Sequence, residues 1–339
     1  MKRLRILLLV HEDLIPPDTL AGYSDEEIID WKTEYDVVTT LTELGHDVQV
    51  LGVRADLGVI RRALTDFKPH IAFNLLEEFH DNPLYDHHVA GYLELMQQSY
   101  TGCNPRGLLI AHDKALSKKI LSYHRIRAPR FSVFLRGRKP RLSKKLRFPL
   151  IVKSLFEEGS YGISQASIVH TPEKCLERIA YLHEKLRTPA IVEEFVEGRE
   201  LYLSIIGNQR VEVLPPIELV FGNLPEGAHP IATSRVKWDW KYQEAREIEL
   251  KIPTDLDETT SRELKRLGRR IYRVLDLTGY ARIDLRLTDT GEIFVLEANA
   301  NPDIGYGEEM SVAAEAVGIQ YPQLLQKIVN LGLRYNKPA

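Results

Sequence analysis

Four polar residues in the last fifth of the chain have the types and the spacing that could bind a cation and an anion together. Arg282 and Asp284 alternate with apolar residues in one predicted strand, and Glu297 and Asn299 do the same in the next. Side chains two residues apart in a strand lie on the same face of the sheet. Each pair therefore lies on one face of its own strand.

The turn between these two strands decides whether the two pairs meet. A two- or four-residue loop centred on residues 290–291 places two pairs opposite each other, namely Asp284 with Glu297 and Arg282 with Asn299. A three-residue loop would shift the register by one residue and separate the four side chains.

The chemistry of this set is that of a magnesium site beside an anion site. Two carboxylates and an amide oxygen are ligands that suit one or two Mg²⁺ ions, which keep further positions for phosphate oxygens. Arg282 beside them could stabilise anionic oxygen during acyl or phosphoryl transfer. Salt bridges between exposed strands are the alternative interpretation. Asn299 favours the functional one, because Asn is depleted in strands and this residue ends a very apolar strand.

Composition and charge exclude several classes of protein. The chain has 339 residues, of which 44% are hydrophobic and 27% charged, as expected for two or three globular domains. Its 45 basic and 48 acidic residues give a net charge of −3, which does not indicate a nucleic-acid or membrane partner. Two cysteines do not make a disulfide framework, and no apolar run reaches the ~18 residues of a transmembrane helix. We therefore expect a cytoplasmic protein.

The first third of the chain alternates predicted strands and helices. Strands are predicted over residues 6–10, 48–53 and 71–75, and the first helix begins at a capping box formed by Ser24 and Glu27. This order predicts a parallel sheet wrapped by helices. No Gly-x-Gly-x-x-Gly motif follows the first strand, which disfavours a nicotinamide dehydrogenase.

The rest of the chain predicts two further α+β modules. The middle module has a helix, a strand, a glycine-containing loop and a second helix, over residues 113–124, 149–153, 157–162 and 172–186. The last module has three strands, a long loop and a helix before the hairpin, over residues 190–194, 200–206, 211–215, 222–246 and 258–275.

Seven short motifs follow one another in a fixed order. They are Tyr100-Thr-Gly102, Asp113-Lys114, Pro149-Leu-Ile-Val-Lys153, Glu158-Gly-Ser-Tyr-Gly162, Val192-Glu-Glu-Phe-Val-Glu-Gly-Arg-Glu200, Arg282-Ile-Asp284 and Leu296-Glu-Ala-Asn299. In this order they resemble the ATP-grasp superfamily, most closely D-alanine–D-alanine ligases and similar carboxylate–amine ligases. The resemblance implies a mixed α/β and α+β fold. An N-terminal domain with an open parallel sheet (residues 1–107, the pre-ATP-grasp domain) precedes a central lid subdomain (108–196) and a C-terminal catalytic subdomain (197–339), and the two subdomains clamp ATP.

The resemblance also implies which residues bind ATP. Lys114 and Lys153 would contact the phosphates or the adenine edge, and Glu200 would bind the ribose hydroxyls. Adenine would be held by Glu193 and by the backbone of Glu194, Phe195 and Val196. A flexible loop over the phosphates would consist of Gly159, Ser160, Tyr161 and Gly162.

Metal-binding and catalytic roles are implied in the same way. Asp284, Glu297 and Asn299 would hold one or two Mg²⁺ ions, with Mn²⁺ as an alternative. Three residues would be catalytic: Ser160 in the phosphate loop, Lys241, which with Tyr242 resembles the lysine-tyrosine pair of the family's lid loop and would reach the γ-phosphate, and Arg282, which would stabilise the reacting carboxyl group.

The activity implied is an ATP-dependent ligase that joins a carboxylate to an amine through an acyl phosphate, releasing ADP and phosphate. Its partners would be small molecules, amino acids or a peptide, and a homodimer is compatible with the resemblance. Three departures from the ligase pattern bear on the substrate: the segment 11–18 lacks the usual glycines, the segment 74–78 replaces a His-Gly pair, and Asp303 replaces a glycine. D-Alanine–D-alanine ligase itself, amino-acid addition to a peptide terminus and a non-catalytic ATP-binding regulator therefore remain alternatives.

Overall fold

The N-terminal part of the protein contains the expected parallel sheet. The computed structural model describes residues 2–157 and 159–335. Strands Arg5–His11 (β1), Asp47–Val53 (β2) and Ile71–Asn74 (β3) form a sheet in the order β2-β1-β3, with both neighbouring pairs parallel. Because both faces are covered, β1 is a continuous apolar run that is buried except at its two end residues.

Helices Asp25–Glu43 (α1) and Leu57–Phe67 (α2) connect these strands. The capping box predicted at the start of α1 is confirmed, because the Ser24 hydroxyl accepts from the Glu27 amide and the Glu27 carboxylate accepts from the Ser24 amide. The helix bends at Trp31, where the backbone φ is −124°. Three more helices, Asp86–Leu95 (α3), Pro105–His112 (α4) and Lys114–Tyr123 (α5), lead into the central part of the chain.

The central part forms an antiparallel sheet of four strands. They are Phe131–Phe134 (β4), Leu150–Ser154 (β5), Ile168–Val169 (β6) and Ala190–Glu194 (β7), in the order β4-β7-β5-β6. Helix Pro172–Glu184 (α6) covers one face, with its apolar residues Cys175, Ile179 and Leu182 fully buried. This apolar cluster contains only residues of the central part.

The C-terminal part forms a larger, antiparallel sheet. Its strands are Arg199–Gly207 (β8), Val211–Val213 (β9), Ile217–Phe221 (β10), Ile248–Lys251 (β11), Tyr280–Leu287 (β12) and Ile293–Ala300 (β13). Their order is β11-β10-β8-β12-β13, with β9 paired to β8. The helices of this part are Ser234–Trp238 (α7), Trp240–Ala245 (α8), Glu258–Val274 (α9), Glu309–Glu315 (α10) and Tyr321–Leu333 (α11).

The segment 222–246, predicted as a loop, differs from that prediction. It contains α7 and α8, whose N-caps are Thr233 and Asp239. Each cap side chain accepts a hydrogen bond from a backbone amide in the first turn of its helix. Helices this short carry too few residues to show a helical period in the sequence.

The predicted register of the hairpin is confirmed. Arg282 lies opposite Asn299 and Asp284 lies opposite Glu297. The connection itself differs from the prediction, because Leu287 pairs with Ile293 and so leaves five residues between the paired strands. A bulge beside Asp284 absorbs the difference of one residue and restores the predicted pairing.

Each of the three predicted ranges, 1–107, 108–196 and 197–339, contains one of these sheets, and the exact boundaries remain predictions. Two apolar cores join the first range to the last, since β1 and β3 share them with β8, β12 and α11. In the described ranges no helix has both the length and the apolar character needed to cross a membrane.

Candidate active site

Arg282 is the centre of a buried ion-pair network. Its guanidinium donates to both oxygens of Asp284, at 2.8 and 3.1 Å, and to Glu309 at 3.0 Å. Its charge also lies 5.0 Å from the centre of the Tyr202 ring. Within the described residues these bonds use three of the five N–H groups of an arginine, so two remain for a ligand oxygen.

The predicted metal ligands Asp284, Glu297 and Asn299 lie together on one face of β12 and β13. Burial raises the pKa of Asp284, against the attraction of Arg282. Burial also acts to raise the pKa of Glu297, but Lys114 and Lys153 outweigh it and lower that pKa to about 2. Glu297 is therefore ionised at any physiological pH.

Asn299 supplies an observation that fits a bound ligand. Its side chain is 6% exposed, and its buried Nδ2 has no hydrogen-bond partner in the part of the chain that the structure describes. A buried amide donor is rarely left unpaired in a folded protein. An amide that turns its oxygen to a cation and its N–H to a phosphate oxygen would satisfy this group, so the donor set fits a hard divalent cation next to phosphate.

A second network connects the central sheet with the hairpin. The Glu193 carboxylate, 1% exposed, lies 3.3 Å from the Lys118 ammonium and 3.2 Å from that of Lys153. Lys114 lies 3.6 Å from Glu297 and donates to the Glu157 carbonyl at 2.7 Å. The structure thus brings the predicted Lys114, Lys153 and Glu193 together within reach of the predicted metal ligands.

Lys118 belongs to this network and was missed by the sequence prediction. It is 2% exposed, and its ammonium donates to the Leu296 carbonyl in β13. Burial lowers the pKa of Lys118 to about 8, although Glu193 opposes the shift. Its position four residues after Lys114 on one helix face was the only signal in the sequence.

The residues predicted to hold adenine and ribose follow the end of β7 and the start of β8. The amides of Glu194 and Phe195 already donate to the carbonyls of Arg130 and Pro149, both at 2.9 Å. Adenine contacts from these two residues would therefore have to use their carbonyl groups.

Glu200 is 7% exposed and already has two side-chain partners. Arg286 donates to one of its oxygens at 2.7 Å, and the Tyr202 hydroxyl donates to the other at 3.0 Å. The second lone pairs of these oxygens remain as acceptors for ribose hydroxyls. Arg286, which fixes this carboxylate, was not among the predicted residues.

The predicted phosphate loop has the backbone conformation that brings amides close to a ligand. Gly159, Ser160 and Gly162 have φ values of 61°, 60° and 72°, in the left-handed region that glycine adopts at little cost. Ser160 is the exception, a non-glycine residue at positive φ. Tyr161 is 55% exposed, and Glu158, which begins the motif, lies outside the described residues.

Helix α7 is hydrogen-bonded to this loop. The Trp238 indole donates to the Gly159 carbonyl at 2.9 Å, and the Ser234 hydroxyl donates to the Ser160 carbonyl at 2.6 Å. The long segment that follows β10 therefore closes over the phosphate loop, as expected of a lid.

The two lysines of the lid have different surroundings, and the predicted role of Lys241 stays a prediction. Lys241 lies on the outer side of α8, where its ammonium is 2.6 Å from Glu26, and both side chains are about two thirds exposed. Lys237 in α7 is 19% exposed and lies 3.9 Å from Glu309 and 5.5 Å from the centre of the Tyr202 ring. Lys237, not Lys241, is thus the lid lysine that the structure brings to Arg282.

Asp303, the residue that departs from the ligase pattern, has one carboxylate oxygen engaged. The Thr33 hydroxyl donates to it at 2.7 Å and the Gly305 amide at 2.8 Å. Together with Glu308 and Glu309 it contributes acidic side chains to the lining of a cavity of about 530 Å³, which Arg282 also lines.

A second cluster of His11, Glu78 and Asp81 occurs at the carboxyl ends of β1 and β3. The His11 Nε2 lies 3.4 Å from Glu78 and 3.9 Å from Asp81. Its Nδ1 accepts from the Asp13 amide at 3.3 Å, and its buried Nε2 has no hydrogen-bond partner among the described residues. The cluster lies outside the network around Arg282.

Comparison with known proteins adds three kinds of finding. A family model described as the D-ala D-ala ligase C-terminus matches residues 120–330. The uncharacterized protein y4sG of Sinorhizobium fredii is 31% identical, over 88% of this chain and 86% of its own length. The D-alanine–D-alanine ligase of Halothermothrix orenii is 30% identical, over 80% of this chain and 76% of its own length.

Solved structures share the fold. A D-alanine–D-alanine ligase from Bacillus anthracis, complexed with ATP, superposes with a TM-score of 0.76 at 22% identity and covers 98% of both chains. The D-alanine–D-alanine ligase from Coxiella burnetii has a TM-score of 0.70 at 17% identity, over 98% of this chain and 94% of its own. The three-sheet architecture is therefore that of the solved ligases.

Proposed function

The chain belongs to the D-alanine–D-alanine ligase family of ATP-grasp enzymes, and we propose that it uses ATP to join the carboxylate of one amino acid to the amine of another. As an ATP-dependent ligase it forms an amide bond and releases ADP and phosphate. The observation that carries the proposal for this site is the placement of Arg282, which is held by Asp284 and Glu309 and lies opposite Asn299 at the buried end of a cavity.

The nucleotide would lie between the central sheet and the hairpin. Lys114 and Lys153 are the buried cations nearest to Glu297, which places positive charge where phosphates would approach the hairpin. The left-handed loop of Gly159, Ser160 and Gly162 would cover the phosphates with backbone amides.

Asp284, Glu297 and Asn299 would hold one or two divalent cations, for which we propose Mg²⁺. Bound there, the cation would offset the negative charge of the phosphate oxygens during transfer. The buried, unpartnered Nδ2 of Asn299 and the ionised state of Glu297 support this assignment.

Arg282 would act on both chemical steps. In the first, a carboxylate oxygen of one substrate attacks the γ-phosphorus of ATP, the bond to ADP breaks and an acyl phosphate forms. In the second, the amine attacks the acyl carbon, the C–O bond to phosphate breaks and a proton leaves the nitrogen. Both steps pass through a species with extra charge on oxygen, to which the two remaining N–H groups of Arg282 can donate.

The lid would supply a lysine ammonium beside Arg282 and would exclude water from the site. We propose that Lys237 contacts the transferred phosphate, in place of Lys241, since its ammonium lies among Glu309, Tyr202 and Arg282. Trp238 and Ser234 hold the lid to the phosphate loop, which keeps water away from the acyl phosphate. Ser160 would contribute through the backbone position that this contact fixes.

The experiment that tests the proposal is Mg²⁺-dependent phosphate release from ATP with pooled D- and L-amino acids, with product masses measured alongside. We expect at least one pool, D-alanine included among them, to stimulate phosphate release and to give a product that weighs two amino acids minus water. ATP binding without a product from any pool would contradict the amino-acid ligase and favour a non-catalytic nucleotide-binding protein.

A further inference from the structure

The cavity at Arg282 extends beyond the site proposed for the phosphate. Its volume of about 530 Å³ lies within the ~300–1,000 Å³ of pockets that bind drug-sized ligands. Its lining includes Gly159 of the phosphate loop, Lys237 of the lid, Arg282, Asn299, Ile29 and Trp240, whereas Lys153 and Glu193 are not among the described residues that line it. The cavity therefore includes space for the transferred phosphate and, at Ile29 and Trp240, further space for a substrate, away from the side proposed for adenine.

The lining of this cavity is polar near Arg282 and becomes apolar towards the opening. At the buried end the lining is polar, and Arg282, Asn299 and Glu309 are 6–7% exposed. Towards the opening the lining includes Ile29 of α1, which is 40% exposed, and Trp240 of α8, which is 42% exposed. Leucine and isoleucine side chains of β10 and β11 also line it, namely Leu219, Ile248 and Leu250.

Large apolar side chains that remain exposed around a cavity indicate a ligand surface. Ile29 and Trp240 come from elements far apart in sequence, the first helix and the lid. The ion pair between Glu26 and Lys241 joins the same two elements outside the cavity. A side chain bound between them would be enclosed when the lid is closed.

The charges in the cavity do not favour an acidic side chain. The Lys32 ammonium is already engaged by Asp36 at 2.8 Å and by the Tyr306 carbonyl at 2.6 Å. Asp303 and Glu309 line the same cavity and add negative charge. A substrate carboxylate in this region would face like charges, whereas an apolar group would meet the wall described above.

We infer that at least one of the two amino-acid substrates carries a large apolar side chain, of the size of leucine or phenylalanine, and that Ile29 and Trp240 select it. This inference rests on the proposed ligase function and specifies its substrate class. Alanine would place only a methyl group in the cavity and leave the apolar wall in contact with water. A difference of one methylene in an apolar pocket changes kcat/KM by ~10–200-fold.

The test compares amino acids in the same phosphate-release assay with product masses. Alanine, valine, leucine, phenylalanine and glutamate are supplied as D- and L-forms, singly and in pairs with alanine. We expect kcat/KM for leucine or phenylalanine, in at least one of the two positions, to exceed that for alanine in the same position by ~10-fold or more.

Two variants test the wall itself. Trp240→Ala and Ile29→Ala should each raise the KM for the preferred large substrate by ~10-fold while changing kcat/KM for alanine by less than ~2-fold. Trp238 is unsuitable, because its indole also holds the phosphate loop. Tyr123→Ala is the matched control, since Tyr123 is 85% exposed at the end of α5 and does not line the cavity.

The outcomes separate the inference from the function on which it rests. Equal kcat/KM for alanine and leucine in both positions would overturn the inference and leave the ligase intact. A large-substrate preference that both variants leave unchanged would overturn the role of Ile29 and Trp240. No product from any amino acid would overturn the proposed function, and the inference with it.

Discussion

Asp284 and Glu297 lie opposite each other on neighbouring strands, yet the pKa values of their carboxyl groups are shifted in opposite directions. Both are buried, which alone would raise both pKa values. The difference comes from their partners, because Arg282 and Lys237 act on both carboxyl groups, while Glu297 faces Lys114 and Lys153 as well. Glu297 therefore carries the more firmly fixed negative charge of the proposed cation site.

Removal of this charge should weaken the metal site. In Glu297→Gln, which keeps the shape of the side chain, we expect the Mg²⁺ concentration for half-maximal activity to rise by at least ~10-fold. Phosphate release across a Mg²⁺ titration measures it. Glu292→Gln in the same hairpin is the matched control, since Glu292 pairs only with exposed Arg127. An unchanged Mg²⁺ dependence in Glu297→Gln would remove this residue from the metal site.

Arg282→Ala should lower turnover by ~10²–10³, the scale for loss of one donor to a developing oxyanion. The variant leaves Asp284 and Glu309 buried without their cation, so its thermal unfolding must be compared with the wild type. Arg106→Ala, at a pair whose arginine is 74% exposed, controls for loss of an arginine elsewhere. A folded Arg282→Ala protein with normal turnover would refute the assigned role.

The two lid lysines should respond differently to the same substitution. Lys237→Ala should lower kcat by at least ~10-fold, because its ammonium lies near the reacting phosphate in the proposed complex. Lys241→Ala breaks an exposed ion pair with Glu26 and an exposed contact with the Trp240 ring, and should change kcat by less than ~5-fold. Steady-state kinetics of both variants decide between them, and the reverse order would restore Lys241 as the phosphate-binding residue.

Glu34 on α1 should make stability depend on pH. Burial raises the pKa of Glu34 from 4.5 to about 7, and the negative charge of Asp303 adds to the shift. A carboxyl group whose pKa is raised by folding stabilises the protein fully below pH 4.5, and that contribution is lost as the pH rises through about 7. The full loss is on the order of 3 kcal/mol.

Glu34→Gln should therefore unfold at the same denaturant concentration as the wild type near pH 4.5 and at a higher one at pH 8. Urea unfolding at both values measures this. Glu43→Gln, at an exposed position of the same helix, should follow the wild type at both. If the stabilities of Glu34→Gln and the wild type change in parallel with pH, ionisation of Glu34 does not destabilise the folded protein and the prediction is wrong.

The strand alternation of the hairpin was enough to predict which four side chains share a face, because a two-residue period is local. The register was predicted correctly, but the two- or four-residue loop assumed for it does not occur. The five residues left by the Leu287–Ile293 pair would have displaced Asp284 from Glu297, and the bulge that corrects this has no marker in the sequence.

Contacts that depend on distant segments could not be predicted in the same way. Glu309 reaches Arg282 because α10 begins beside β12, and Lys118 reaches Glu193 because α5 packs between the two sheets. Lys237 and Lys241 are both lid lysines four residues apart, and only the bend between α7 and α8 decides which one faces inward. These contacts depend on tertiary packing, which a local sequence pattern does not encode.

The shared apolar cores of the first and last thirds of the chain have a mechanical consequence. Leu7 and Ala72 of the parallel sheet are buried in one cluster with Leu203 and Ile283 of the large sheet, while the central sheet keeps a cluster of its own. The two outer sheets are therefore packed into one unit, whereas the central sheet has an apolar cluster of its own. A nucleotide bound between Lys153 of the central sheet and Glu297 of the large sheet would add a bridge between two separately packed parts of the molecule.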